Sequence, residues 1–246
     1  MPEILYEIPV NDIFDRPCEC PVCAMKKKLD DDEVAFAMGP SYMEDDIRLT
    51  TDKIGFCAHH MQMMYDFENR LGLGLILNTH MQNIIKNVET LQKKKRNGSK
   101  RLFAKDTGSA LSDYIKQTTS SCFICDRIKN TFKRYLVTTL YLYEKDSDFR
   151  KKFKNSKGFC MHHFRDLVEV GEKKLSVKEK QEFYPVLFSL MEENMKRLEE
   201  EVTWFCDKQD YLNRDKDWGN SKDSIQRAIQ KLGGGYPADP VFKIDY

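Results

Sequence analysis

The chain has 246 residues, 41% of them hydrophobic, enough for a sizeable core in one large domain or two ordinary ones. Its 40 basic and 39 acidic residues nearly cancel, which excludes a global field drawing it to nucleic acid or to an anionic membrane surface. Its longest apolar run, LGLGLIL at 71–77, is far short of the roughly 20 residues of a membrane helix, and its first residues lack the basic start and apolar stretch of a secretory signal. A cytoplasmic protein with no membrane partner is expected.

In chain order, Cys20-Pro21-Val22-Cys23 leads into a helix-like stretch, AMKKKLDDDEVAFAM at 24–38. A short polar connector with one helical turn, DDIRL at 45–49, returns the chain to GFCAHH at 55–60, and a longer helical pattern follows. Charge, Gly98 and Ser99 interrupt that pattern in QKKKRNGSKR at 92–101. The series then repeats. Cys122-Phe-Ile-Cys125 opens a helical stretch in which Ile128, Phe132, Tyr135, Leu136 and Tyr143 recur at about 3.6-residue spacing. The connector DSDFRKKF at 146–153 leads to GFCMHH at 158–163, and Leu187, Met191, Met195, Leu198, Val202 and Phe205 then mark one face of a long helix. DWGNSKDSIQRAIQKLGGG at 217–235 reads as a short helix capped near Asn220 or Ser221 and stopped by Gly233 to Gly235, with YPADPVFKIDY at 236–246 laid along the surface.

No segment alternates β-branched residues at period two, so the predicted fold is all-α. It comprises two tandem, internally duplicated helical modules at 1–95 and 96–215, with a C-terminal helix and tail at 216–246 packed on them. The offset between copies is 102 residues at the CxxC pairs and 103 at the CxHH elements.

Six of the eight cysteines and four of the five histidines fall in these two sets. In a reducing compartment such spacing points to ligands rather than disulfides. CxxC turns two sulfurs towards one ion, and Cys and His three apart on a helix share a face. The expected ligands are Cys20, Cys23, Cys57 and His60 for one ion, and Cys122, Cys125, Cys160 and His163 for the other, each a Cys3His staple. His59 and His162 stay open as alternatives, since a helix start can be irregular. A helix of about 15 residues carries the chain about 22 Å away from such an ion. The roughly 14 residues that follow can span the way back. Cys18 competes with Cys20, but its counterpart in the second copy is Ser120, whereas Cys122 matches Cys20.

Two structural zinc ions are the default cofactors, because four protein ligands leave no open position for a substrate. That argues against an enzyme and for an interaction or regulatory role with an unidentified protein partner. An iron–sulfur cluster or a thiol-redox role on the same residues is the leading alternative. Cys20-Pro-Val-Cys23 is similar to thioredoxin-like active sites, but it lacks the preceding strand and surrounding sheet. Nucleic-acid binding through Lys93, Lys94, Lys95, Arg96, Lys100 and Arg101 is a third reading, disfavoured because such a run is more often a solvated linker. No His-x-Glu element supports a zinc deaminase, and no phosphate loop is present.

With CxxC followed by GFCxHH, twice, and DWGNSKDSIQRAIQKLGG near the C-terminus, the chain resembles a bacterial, Firmicutes-type family known only as a domain of unknown function. The resemblance spans nearly the full length and implies no activity. Its motif sets cysteine and histidine three apart, which implies His60 and His163 as ligands.

Overall fold

A computed structural model describes residues 6–96 and 107–235. Among them the regular elements are helices, without a strand: α1 (Glu7–Phe14), α2 (Pro21–Met38), α3 (Asp45–Ile54), α4 (Ala58–Asp66), α5 (Arg70–Arg96), α6 (Thr107–Ser120), α7 (Phe123–Lys145), α8 (Ser147–Asn155), α9 (Met161–Lys174), α10 (Val177–Asp207) and α11 (Ser224–Gly233), with two short 3-10 turns. The fold is all-α. None of these helices is long and apolar enough to cross a membrane. The 236–246 tail and part of the basic run near residue 100 lie outside the described residues.

The connectors expected to hold one helical turn are fuller helices, α3 and α8. Asp146 caps α8 by accepting hydrogen bonds from the N–H groups of Asp148 and Phe149, which lets a very polar segment start a helix. Phe149 and Phe153 then anchor its buried face. The C-terminal helix begins at Ser224, later than Asn220 or Ser221, because the Ser221 hydroxyl donates to the Trp218 carbonyl and closes a turn there instead.

The described chain forms two compact units that interleave in sequence. One comprises Met1–Lys28 with Thr131–Tyr246, the other Leu29–Asn130, so α2 and α7 each contribute residues to both. These spans differ from the tandem 1–95 and 96–215 division that the repeat suggests. The core of the first unit is aromatic: Phe14, Phe149, Phe153, Phe159 and Phe183 are buried, with Tyr143 edge-on to both Phe153 and Phe183 at 5.0 Å. In the second unit α3 packs on α5, and α5 on α4 and α6. Met38, Met64, Leu73 and Ile76 fill its interior, and His80 is buried with Nδ1 2.8 Å from the Asp52 carbonyl.

Candidate metal centres

The GFCxHH element folds the same way twice. Gly55 and Gly158 have φ of 71° and 73°, a left-handed turn that releases the chain from the preceding helix. Phe56 and Phe159 are buried and anchor the turn. Cys57 and Cys160 are then the extended N-caps of α4 and α9, with nearly identical backbones (φ −75°, ψ 163° and φ −72°, ψ 162°). His60 and His163 lie in the first turn of those helices, both buried, with Nδ1 3.2 Å from the sulfur of their own cysteine. Each CxxC also straddles a helix start, since Cys20 and Cys122 immediately precede α2 and α7. The N–H groups of Cys23 and Cys125 donate to the sulfurs of Cys20 and Cys122, at 3.4 and 3.5 Å. Pro21 suits the first helical position, where its missing N–H is not needed.

The structure brings together all eight expected ligands but groups them differently. Cys20 and Cys23 meet Cys160 and His163, while Cys57 and His60 meet Cys122 and Cys125. The tandem assignment of Cys20, Cys23, Cys57 and His60 to one ion, and of Cys122, Cys125, Cys160 and His163 to the other, is therefore corrected. Contacts distant in sequence account for it. In the second unit the Phe123 N–H donates to the Gly55 carbonyl at 2.9 Å, and the Ser121 hydroxyl to the Ile54 carbonyl at 2.6 Å, which seats one CxxC beside the other copy's CxxH. In the first unit the Lys231 ammonium donates to the carbonyls of Glu19 and Lys157, at 2.7 and 2.6 Å, and so bridges the two corresponding positions. A return path along α2 or α7 is not needed.

The dimensions suit an ion. With zinc bonds of about 2.3 Å to sulfur and about 2.0 Å to nitrogen, a tetrahedron has S···S edges near 3.8 Å and S···N edges near 3.5 Å. In the first group Cys23 and Cys160 sulfurs are 3.6 Å apart, and His163 Nδ1 is 3.5 Å from Cys20 and 3.3 Å from Cys23. In the second, Cys57 and Cys125 sulfurs are 3.9 Å apart, and His60 Nδ1 is 3.3 Å from Cys122 and 3.4 Å from Cys125. Both groups could hold metal ions. Helix N-termini supply partial positive charge to the anionic Cys3His sets.

Crowding of the sulfurs perturbs their acidity. Burial pushes the Cys20 thiol up to about 12, and contacts with Cys160 and Cys20 raise Cys23, whereas contacts with Cys20 and Cys23 hold Cys160 well below the usual thiol range. Burial opposes charge on Cys122, but the His60 ring and backbone N–H groups outweigh it and lower that thiol to about 6. Burial likewise opposes charge on His60, yet Asp30 and the Cys122 sulfur raise it to about 10. A cation at the centre of each set would replace the shared protons and relieve the repulsion between thiolates.

Asp30 Oδ1 lies 3.1 Å from His60 Nε2, so a buried carboxylate backs the histidine whose Nδ1 faces the sulfurs. Sequence spacing gave no sign of this partner. His59 is outside the Cys3His set, but its Nε2 lies 4.0 Å from Asp30 and its ring converges with Asp30 and His60 in a third cluster of possible ligands, its side chain 57% exposed. His162 is also outside the ligand sets. Cys18 is buried and Cys206 exposed, neither within a group.

Around the first group, Glu19 is buried among cations. Its carboxylate is 2.6 Å from Arg197, 3.2 Å from Lys231 and 3.4 Å from Arg227. Burial disfavours its charge, but Lys231 and Arg197 outweigh that and hold the carboxyl below the usual range. Lys231, fully buried, ties α11 to the loop that carries Cys20.

No curated protein and no solved structure matches the chain. One family model matches residues 1–239, and its description is Family of unknown function (DUF6062). The chain belongs to that family of unknown function.

Proposed function

We propose that this is a two-zinc protein of a reducing compartment, the cytoplasm, in which each Cys3His group holds a structural ion and the fold so stapled serves an interaction or regulatory role. One observation carries the reading: two separate sets of three sulfurs and one Nδ1 have the edge lengths of a zinc tetrahedron, and each set caps two helix starts. Four protein ligands leave no position for substrate. Structural zinc of this type contributes on the order of 10 to 16 kcal/mol in small peptides, comparable with the stability of a whole domain.

The test is elemental analysis with an absorption spectrum, on protein purified anaerobically without added metal. About two zinc ions per chain and no visible absorbance are expected. Iron with acid-labile sulfide and a brown chromophore would overturn the reading in favour of electron transfer.

A further inference from the structure

The two groups differ in access. Every ligand of the Cys20 group is buried, and α11 closes over it: a Cβ placed on Gly234 would stand 3.7 Å from the Cys160 sulfur and 3.5 Å from the His162 ring. In the other group His60 and Cys122 are buried, but Cys57 is half-buried and Cys125 is the more exposed of the two. The two accessible cysteines face each other, with sulfurs 3.9 Å apart, and come from segments 68 residues apart in the chain.

We propose that Cys57 and Cys125 form an oxidation site for hydroperoxides, at which their conversion to a disulfide expels the ion from this group and leaves the ion of the Cys20 group in place. The proposal rests on the zinc reading. In the first step the exposed Cys125 thiolate attacks one peroxide oxygen. The O–O bond breaks, the sulfur becomes a sulfenic acid, and the other oxygen leaves as an alcohol after taking up a proton. In the second step the Cys57 thiolate attacks that sulfur, the S–S bond forms, and hydroxide departs and is protonated to water. Two thiolates, one hydroperoxide and two protons thus give a disulfide, an alcohol and water. The sulfurs lose the two electrons that the O–O bond gains.

The sulfurs must close from 3.9 Å to a disulfide length of about 2.05 Å. That contraction is incompatible with both remaining on one zinc. Cys122 and His60 are then the only ligands left, and the starts of α4 and α7 lose their common ion. The first group resists because its sulfurs are covered.

The experiment treats full-length, anaerobically purified protein with stepwise hydrogen peroxide. A chromophoric chelator reports released zinc, and mass spectrometry after alkylation identifies the oxidised peptides. The expected result is release of one zinc at least about tenfold faster than the other, in step with a Cys57–Cys125 disulfide, and its return after thiol reduction and added zinc. Release of both ions at one rate, earlier oxidation of Cys20, Cys23 or Cys160, or a Cys122–Cys125 disulfide would overturn the proposal. If the protein carries no zinc, the reading under Proposed function fails by itself. The ion-release half of the proposal fails with it, and the order of cysteine oxidation then decides only the oxidation site, with Cys57 and Cys125 first supporting it and any other order rejecting it.

Discussion

Asp30 and Phe132 stand at matching positions of the two sequence copies, ten residues beyond Cys20 and Cys122, yet they meet their histidines differently. Asp30 Oδ1 is 3.1 Å from His60 Nε2, whereas the Phe132 ring centre is 5.6 Å from that of His163. A carboxylate behind a ligating histidine fixes its tautomer and strengthens the nitrogen facing the ion, and losing such a partner typically costs about 10–100-fold in metal affinity. Asp30→Asn should therefore weaken one of the two ions by that factor and leave the other unchanged. Competition with a chromophoric chelator measures both, and equal affinities before and after the substitution would remove the orienting role of Asp30.

The interleaved grouping makes a prediction that the tandem one reverses. Cys20→Ser combined with Cys160→Ser disrupts a single group, so about one zinc per chain should remain. Cys20→Ser combined with Cys57→Ser disrupts both, and little zinc should remain. Elemental analysis of the two double variants distinguishes the arrangements, because within-copy sites would retain one zinc in the second variant and none in the first.

The same contrast shows what the sequence could carry. CxxC and CxxH each bring two side chains together through local helix geometry, so the spacing alone pointed to the eight residues that meet in the two groups, His60 and His163 among them, one helical turn beyond Cys57 and Cys160. Which pair meets which is a long-range matter, set by contacts such as Phe123 to Gly55 and Lys231 to Glu19 and Lys157. No spacing rule encodes those contacts. Lys231 in particular sits in the last turn of a short amphipathic helix, and only the tertiary structure shows its ammonium buried between two carbonyls. The helical class was easier, since the 3.6-residue period of Ile128, Tyr135 and Leu136 reflects burial of one face of α7.

Lys231→Met should destabilise the first unit by about 1–3 kcal/mol, the usual cost of leaving buried acceptors unsatisfied, since Arg197 and Arg227 still face Glu19. The substitution removes one cation facing Glu19 and the donor shared by the Glu19 and Lys157 carbonyls. Ser121→Ala removes only a neutral donor to the Ile54 carbonyl in the second unit and should cost about 1 kcal/mol. Urea denaturation of the two metal-loaded variants tests the ranking. A Lys231→Met protein as stable as the parent would show that the network adds nothing to the fold.

Gly55 carries both a conformational and a steric constraint. Its φ of 71° and ψ of −161° fall in a region open almost only to glycine, where another residue costs about 1–3 kcal/mol. A Cβ there would also come within 2.7 Å of His80 Nε2, on a ring held by the Asp52 carbonyl, whereas at Gly158 the nearest atom would be the Leu190 carbonyl oxygen at 3.3 Å. Gly55→Ala should therefore be the more destabilising of the two substitutions. Combining Gly55→Ala with His80→Ala separates the causes: the double variant should lose less than the sum of the singles, because the smaller side chain removes the clash but not the backbone cost. Strict additivity in denaturant unfolding would mean that the ring moves aside freely and that backbone conformation alone reserves the position for glycine.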